Sequence, residues 1–259
     1  MTNTPVRIAI PEPTSSKPEY NQRCWPQYAH AIESCGGVPV ALPLGESQAT
    51  IARLISSCAG VLLPGSPADV DPQKYGQEPV PECAAADPAR EAVEELLLQD
   101  AFNLHKPIFG ICYGIQSLNV WRNGTLMQHI TGTGVDHDPG LGTHEAHPVE
   151  VAAESLLGSI VESARDVHRE SGYLRLAVNS SHHQGVDVPG DGLAIVARSP
   201  GDGLIEALEG RTPNHFVVGV QWHPERSFSL SPASRMLFQA FTSAARQWRL
   251  EPIQESLAP

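Results

Sequence analysis

The sequence has 259 residues, 41% of them hydrophobic and 18% charged, and a formal net charge of −12. This length and composition suit one α/β domain, which we expect at residues 1–249, followed by a C-terminal tail at 250–259. The acidic balance argues against nucleic acid or an anionic membrane as a partner, because both are bound through clusters of Lys and Arg.

The five cysteines form an odd set with no Cys-x-x-Cys pair. Such a set predicts neither a disulfide framework nor a zinc finger, and it favours a reducing compartment. No apolar run approaches the roughly 20 residues that cross a bilayer, and the first residues show no signal-peptide pattern. We therefore expect a cytoplasmic protein.

Strand and helix patterns alternate in the first half of the chain. Short apolar runs predict strands, and apolar residues at helical spacing between them predict helices. The predicted strands are 6–10, 38–42 and 61–63, and a helix is expected to begin at Asp87-Pro88. Strands separated by helices imply a parallel, doubly wound sheet, whose ligands bind beyond the carboxyl ends of the strands.

The second half changes character, because Gly, Pro and His become frequent between about residues 123 and 215. Short strand-like pieces at 148–151, 193–197 and 204–208 predict antiparallel additions to the sheet. A last helix is expected to begin at Ser231-Pro232.

A candidate nucleophile lies in the stretch 106–120, where a short apolar run is followed by Gly-x-Cys-x-Gly and then by helical spacing. Cys112 is therefore expected at a strand-to-helix corner. Glycines on both sides would let two segments pass closely while the side chain is held out of the turn, as in a nucleophile elbow. Taken alone, the pattern also fits a buried structural cysteine.

A candidate base follows about a hundred residues later, where a β-branched run ends in His-Pro-Glu. Pro224 favours an extended backbone at His223, so that His223 and Glu225 project to the same side. A nucleophile, a base and a carboxylate that orients the base make a catalytic triad. We predict Cys112, His223 and Glu225 as the catalytic residues.

These two motifs, Gly-Ile-Cys-Tyr-Gly-Ile-Gln at 110–116 and Val-Gln-Trp-His-Pro-Glu at 220–225, resemble the class I glutamine amidotransferase superfamily. The stretches 62–76 and 178–186 resemble one branch of it, the gamma-glutamyl-gamma-aminobutyrate hydrolase (peptidase C26) family. The similarity runs from near residue 6 to about 245, with the motifs in family order. It implies a flavodoxin-like α/β fold, with a doubly wound, mostly parallel sheet flanked by helices and carrying antiparallel additions.

The loop after the third predicted strand is the candidate oxyanion hole. Backbone N–H groups of Gly65 and Ser66 could point toward Cys112 and, with the N–H of Tyr113, stabilise the oxyanion formed when a carbonyl is attacked. In the family this loop supplies that hole. The alternative is an ordinary Gly-Ser-Pro turn, which the continuation of the motif to residue 76 makes less attractive.

Three further residues are candidate substrate contacts. Gln116 lies one helical turn after Cys112 on the same helix face, and the resemblance implies that it contacts a glutamyl group. Ser181 and His182 occupy the family segment that lines the glutamyl pocket. We expect backbone contacts there, because His223 already has a carboxylate partner.

Histidines at 137, 144 and 147 invite a metal hypothesis. His144 and His147 lack the i, i+4 spacing of a zincin helix, and nearby Gly and Pro predict a loop. No glycine-rich phosphate motif is present in the sequence. We therefore expect neither a metal nor a nucleotide cofactor.

The resemblance implies an enzyme that hydrolyses the small molecule gamma-glutamyl-gamma-aminobutyrate, an intermediate of putrescine breakdown, through a thioester on Cys112. Tyr113 stands where these hydrolases commonly carry arginine. This difference leaves open which amine is released from the substrate. Lys17 and Arg23 are candidate partners for that amine's carboxylate, or are merely solvated. A homo-oligomer is also left open.

Two other functions stay open at this stage. One is a glutaminase subunit that delivers ammonia to a separate synthase. The other is a binding protein without catalysis, against which the intact set of nucleophile, base and carboxylate argues.

Overall fold

The computed structural model describes residues 5–140, 142–170 and 172–249, so the expected tail at 250–259 lies outside the described residues. The helices are α1 Pro18–Ser34, α2 Gln48–Ser56, α3 Pro88–Asn103, α4 Tyr113–Trp121, α5 Leu156–Val161 and α6 Pro232–Gln247, with a short 3₁₀ helix at Pro72–Tyr75. The strands are β1 Val6–Pro11, β2 Gly37–Leu42, β3 Gly60–Leu63, β4 Ile108–Ile111, β5 Leu126–Met127, β6 His147–Ala152, β7 His168–Glu170, β8 Tyr173–Val178, β9 Gly185–Val186, β10 Leu193–Arg198, β11 Ile205–Gly210 and β12 Val217–Val220.

All of these strands join one mixed sheet. Its main path runs β2-β1-β3-β4-β12-β11-β10-β6-β8-β7, while β9 pairs with β11 and β5. The first five strands of this path are parallel to one another, and the strands from β11 onward are added antiparallel. The predicted parallel sheet with antiparallel additions is confirmed, although the antiparallel part is larger than a mostly parallel sheet implies.

Helices cover both faces of the parallel part. On one face α1 and α6 pack over alternate strand residues, and the ring of Phe109 meets Phe238 edge-on at 5.3 Å. On the other face α2, α3 and α4 cover the intervening residues such as Val61 and Ile108. The predicted helix starts are confirmed, since Asp87 and Ser231 accept backbone hydrogen bonds at the first turns of α3 and α6.

The register of two neighbouring strands brings the sequence motifs together. In the parallel pair of β4 and β12, Ile111 lies opposite Val220. The N–H of Cys112 then donates to the Val220 carbonyl oxygen at 2.9 Å. Because both strands end at the same edge of the sheet, the segment that carries His223 leaves the sheet beside Cys112.

We searched the described helices for one long and apolar enough to cross a membrane and found none.

Candidate active site

Cys112 occupies the corner between β4 and α4 with φ 54° and ψ −106°. A non-glycine residue rarely adopts positive φ, and such strain is characteristic of a nucleophile elbow. The flanking glycines permit it, because a Cβ at Gly110 would lie 2.7 Å from the Gly114 carbonyl oxygen, and one at Gly114 would overlap the Leu63 carbonyl oxygen. The predicted strand-to-helix corner is confirmed.

His223 and Glu225 form a buried pair beside this corner. His223 Nδ1 lies 2.7 Å from Glu225 Oε1, and the two residues are only 1% and 6% exposed. Burial lowers the pKa of His223, but the charges of Glu225 and Cys112 outweigh it and raise this pKa to about 9. Burial raises the pKa of Glu225, and the neighbouring His223 more than offsets this, so that it falls below its usual value. The pair therefore favours imidazolium and carboxylate at neutral pH.

A residue that sequence reasoning missed holds the backbone of His223. Asn179, just after β8, accepts the His223 N–H through Oδ1 and donates from Nδ2 to the His223 carbonyl oxygen, both at 2.8 Å. The side chain thus fixes where the base leaves β12. The sequence shows Asn179 only as part of the stretch 178–186 that resembles the family. Its partner, His223, lies 44 residues later and could not be predicted from the spacing of residues.

We expect Asn179→Ala to lower kcat by about 100-fold with little change in KM, because a displacement of about 1 Å at a catalytic group costs that much. The pH profile of kcat/KM should keep its shape, since the Glu225 charge on His223 is intact. Steady-state kinetics across pH check both points, with Asn103→Ala, at an exposed helix position, as a matched control. A shifted pH profile would contradict a role limited to positioning.

The candidate oxyanion loop lies against the same corner. A Cβ at Gly65 would lie 3.1 Å from His223 Cε1, a tight contact, and 3.6 Å from Cys112 Cβ, so a larger residue here would press on His223. The Gly65 N–H itself donates to the Tyr28 hydroxyl at 3.0 Å. In the described chain, the N–H groups of Ser66 and Tyr113 donate to no protein acceptor. Of the three predicted donors, these two are the ones open to an oxyanion.

A buried arginine supports this loop. Arg90, which is fully buried, donates to the Pro64 carbonyl oxygen at 2.8 Å and forms an ion pair with Glu94 at 2.6 Å. Its guanidinium carbon lies 5.1 Å from the centre of the Tyr113 ring. A cation is therefore present beside the residue after the nucleophile, but it faces the protein interior.

A cavity of about 660 Å³ opens over Cys112. The predicted site residues that line it are Ser66, Cys112, Tyr113, Gln116, Ser181, His182 and His223. Two arginines also line it, Arg23 from α1 and Arg226 from the residue after Glu225, whereas Lys17 does not. Arg226 was missed by the sequence reasoning, although it directly follows the His-Pro-Glu motif.

The three predicted substrate contacts differ in what they can offer. The Gln116 amide nitrogen donates to the Gln184 carbonyl oxygen at 3.1 Å and to Gln221 Oε1 at 3.2 Å, which fixes its orientation. The Ser181 carbonyl oxygen lies 3.9 Å from Cys112 Sγ. His182 is 7% exposed and its Nδ1 lies 2.8 Å from the Gln184 carbonyl oxygen. Its Nε2 lies 3.9 Å from the buried Glu206, so the ring points into the protein, and backbone contacts of this segment with the substrate stay a prediction.

Comparison with known proteins identifies the class. The sequence model of the peptidase C26 family matches residues 9–225. The chain is 34% identical over 257 residues to the gamma-glutamyl-gamma-aminobutyrate hydrolase of Escherichia coli (strain K12), covering 94% of each chain. It is 36% identical over 235 residues to a Mycobacterium tuberculosis protein named "Putative glutamine amidotransferase", covering 87% of this chain and 70% of that one.

The fold has a solved neighbour in a crystal structure described as a "putative gmp synthase subunit a protein" from Thermoplasma acidophilum. The TM-score is 0.61 at 12% identity, with 93% of this chain and 94% of that chain covered. Fold and comparisons together define an amidohydrolase with the class I glutamine amidotransferase-like fold. Within that class, the chain belongs to the peptidase C26 family.

Proposed function

We propose that this enzyme hydrolyses the γ-glutamyl amide bond of gamma-glutamyl-gamma-aminobutyrate, releasing glutamate and the free amine. The observation that carries the proposal is the cavity over Cys112, which is lined by two arginines and by His223, whose Nδ1 is paired with the buried Glu225. The Escherichia coli relative bears the name of this activity. Such a reaction would serve putrescine breakdown, and the protein would need no partner chain for it.

The charges of the cavity match those of the proposed substrate. Gamma-glutamyl-gamma-aminobutyrate carries two carboxylates and one ammonium group. Arg23 and Arg226 offer two cations, and Asp69 and Asp138, which line the same cavity, offer carboxylates for the ammonium group. The pKa of Arg226 is raised above its usual value, because the nearby Glu225 outweighs the effect of burial, so this cation is permanent.

The proposed mechanism is acyl transfer to water. Cys112 Sγ attacks the γ-carbonyl carbon, and the oxyanion is held by the N–H groups of Ser66 and Tyr113. His223 gives its proton to the amine nitrogen as the C–N bond breaks, which leaves a glutamyl thioester. Water then attacks the thioester, His223 takes its proton, and the C–S bond breaks to release glutamate.

We expect the purified protein alone to cleave gamma-glutamyl-gamma-aminobutyrate about 10- to 100-fold more efficiently than γ-glutamylbutylamine, which lacks the second carboxylate. Arg23→Gln should remove this preference by lowering kcat/KM for the first substrate only. Lys17→Gln, on the same helix start but outside the cavity, is the matched control and should change neither value. Glutamate release measured for both substrates decides the matter.

The names of other relatives favour a second candidate, a glutaminase that delivers ammonia to a synthase. Glutamine would use the same nucleophile and base, but its leaving group is ammonia and has no carboxylate for Arg23. A kcat/KM for glutamine above that for both γ-glutamyl amines, or activity only after a synthase is added, would replace the hydrolase proposal with this one.

A further inference from the structure

A second polar cluster lies behind the wall of the catalytic cavity. It consists of His137, His147, His182 and Glu206, and none of the four is more than 7% exposed. The four donor atoms all lie within 4.8 Å of one another. Glu206 Oε1 lies 3.4 Å from His137 Nδ1, 3.6 Å from His147 Nε2 and 3.9 Å from His182 Nε2.

In each histidine, one ring nitrogen is hydrogen-bonded to a group outside the cluster. That contact decides whether the other ring nitrogen, which faces Glu206, carries a proton or a lone pair. Nδ1 of His147 lies 3.1 Å from the Pro148 carbonyl oxygen, and Nδ1 of His182 lies 2.8 Å from that of Gln184. A carbonyl oxygen can only accept, so each Nδ1 carries the proton, and in a neutral ring Nε2 is a bare acceptor. His137 is fixed in the same way, because its Nε2 lies 2.8 Å from Asp202 Oδ2.

When His137 is neutral, three ring nitrogens and a carboxylate oxygen therefore converge without a donor among them. His137 Nδ1, His147 Nε2, His182 Nε2 and both Glu206 oxygens have no hydrogen-bond partner in the described part of the chain. A buried carboxylate surrounded by lone pairs is unfavourable unless it gains a positive partner, which here is either a metal ion between the four groups or a proton on His137 Nδ1, 3.4 Å away. Outer partners that fix the ring orientation are also the arrangement that surrounds metal-binding histidines.

We propose that this cluster is a structural zinc site. Three imidazoles and one carboxylate are a ligand set that Zn²⁺ accepts, and four protein ligands make a closed, tetrahedral site. At metal–ligand distances of about 2.0–2.2 Å, tetrahedral ligand atoms are about 3.3–3.6 Å apart. The three distances from Glu206 Oε1, 3.4 to 3.9 Å, come close to that value, and the widest spacing in the cluster, 4.8 Å, has to shorten by about 1 Å when the metal binds. His144, which the sequence places beside His147, lies instead on the catalytic cavity.

The site would tie together four separate parts of the chain. His137 comes from the loop before β6, His147 begins β6, His182 follows β8, and Glu206 lies in β11. His182 directly follows Ser181, whose carbonyl oxygen approaches Cys112 Sγ. The Gln184 carbonyl oxygen accepts hydrogen bonds from both His182 Nδ1–H and the Gln116 amide nitrogen. Zinc would thereby hold the wall of the substrate cavity without touching the reacting atoms.

The test is made on Cys112→Ala protein, so that the catalytic thiol cannot bind the added metal. The protein as purified should contain about one zinc per chain by elemental analysis. Removal with a chelator should lower Tm by about 10 °C, and one equivalent of Zn²⁺ should restore it. His147→Gln and Glu206→Gln should each lose the zinc, whereas the matched control His144→Gln should retain it.

Two outcomes would overturn the proposal. One is protein that holds no zinc and whose Tm does not respond to chelation or to added Zn²⁺, which would make the cluster a metal-free network. The other is zinc that remains at one per chain in both His147→Gln and Glu206→Gln, which would place it elsewhere. The chelation and restoration arm keeps the test decisive if a variant fails to fold.

Discussion

Replacing Cys112 with alanine is expected to lower γ-glutamyl amide hydrolysis by about 10⁶-fold, because without the sulfur no thioester can form and His223 has no nucleophile to serve. The fold should be retained, since the change removes one atom from a side chain that is 6% exposed and makes no short hydrogen bond. Glutamate release and a thermal unfolding curve, measured on the same preparation, check the two halves of this expectation.

Selective alkylation provides an independent check on the nucleophile. Burial raises the pKa of Cys35 to about 11 and the pKa values of Cys58 and Cys83 above the usual value. Cys24 and Cys112 are both buried and line the same cavity, but Cys112 faces the imidazolium of His223 and the N-terminus of α4, whereas Cys24 pairs with the Tyr20 hydroxyl. Limiting iodoacetamide at neutral pH should therefore modify Cys112 first, with one label per chain at full inactivation and with protection by substrate. Equal labelling of all five cysteines while activity survives would contradict the assignment.

The sequence predicted the parallel half of the fold and both motifs because each depends on local patterns. The corner at Cys112 needs only a strand, two glycines and a helix in succession, and the His223–Glu225 pair needs only the spacing of two along an extended chain. The meeting of these two segments followed from the rule that parallel strands present their carboxyl ends at one edge.

Other features of the site could not be predicted, because their partners lie far apart in the chain. Asn179 and His223 are separated by 44 residues, and Tyr28 and Gly65 by 37. The proposed zinc ligands show the same difficulty. The sequence singles out the histidines at 137, 144 and 147, but His182 and Glu206 lie 35 and 59 residues after His147, so spacing alone does not bring them into one cluster.

Glu225→Gln is expected to lower kcat by about 10⁴-fold, the scale on which removing the charge of an orienting carboxylate acts in such triads. The amide oxygen can still accept the His223 Nδ1–H, so geometry is kept while the charge that stabilises imidazolium is lost. His223→Ala should cost at least as much, and the double variant little more than the worse single one, because the two residues act as a unit. If the double variant instead lost activity by the product of the two single losses, the two residues would not act as a unit.

The pH profile should separate the charge effect from a loss of geometry. His223 must be protonated to give its proton to the departing amine, and its pKa is raised to about 9, so kcat/KM of the unmodified enzyme should fall as pH rises through that value. Without the Glu225 charge, the His223 pKa falls, and this alkaline loss should move about 1–3 pH units lower. The residual kcat/KM of Glu225→Gln, measured across pH, tests this shift. Asn179→Ala is the matched control, and its alkaline fall in kcat/KM should stay near the original pH. An alkaline limb that stays in place in Glu225→Gln would mean that Glu225 does not set the protonation of His223.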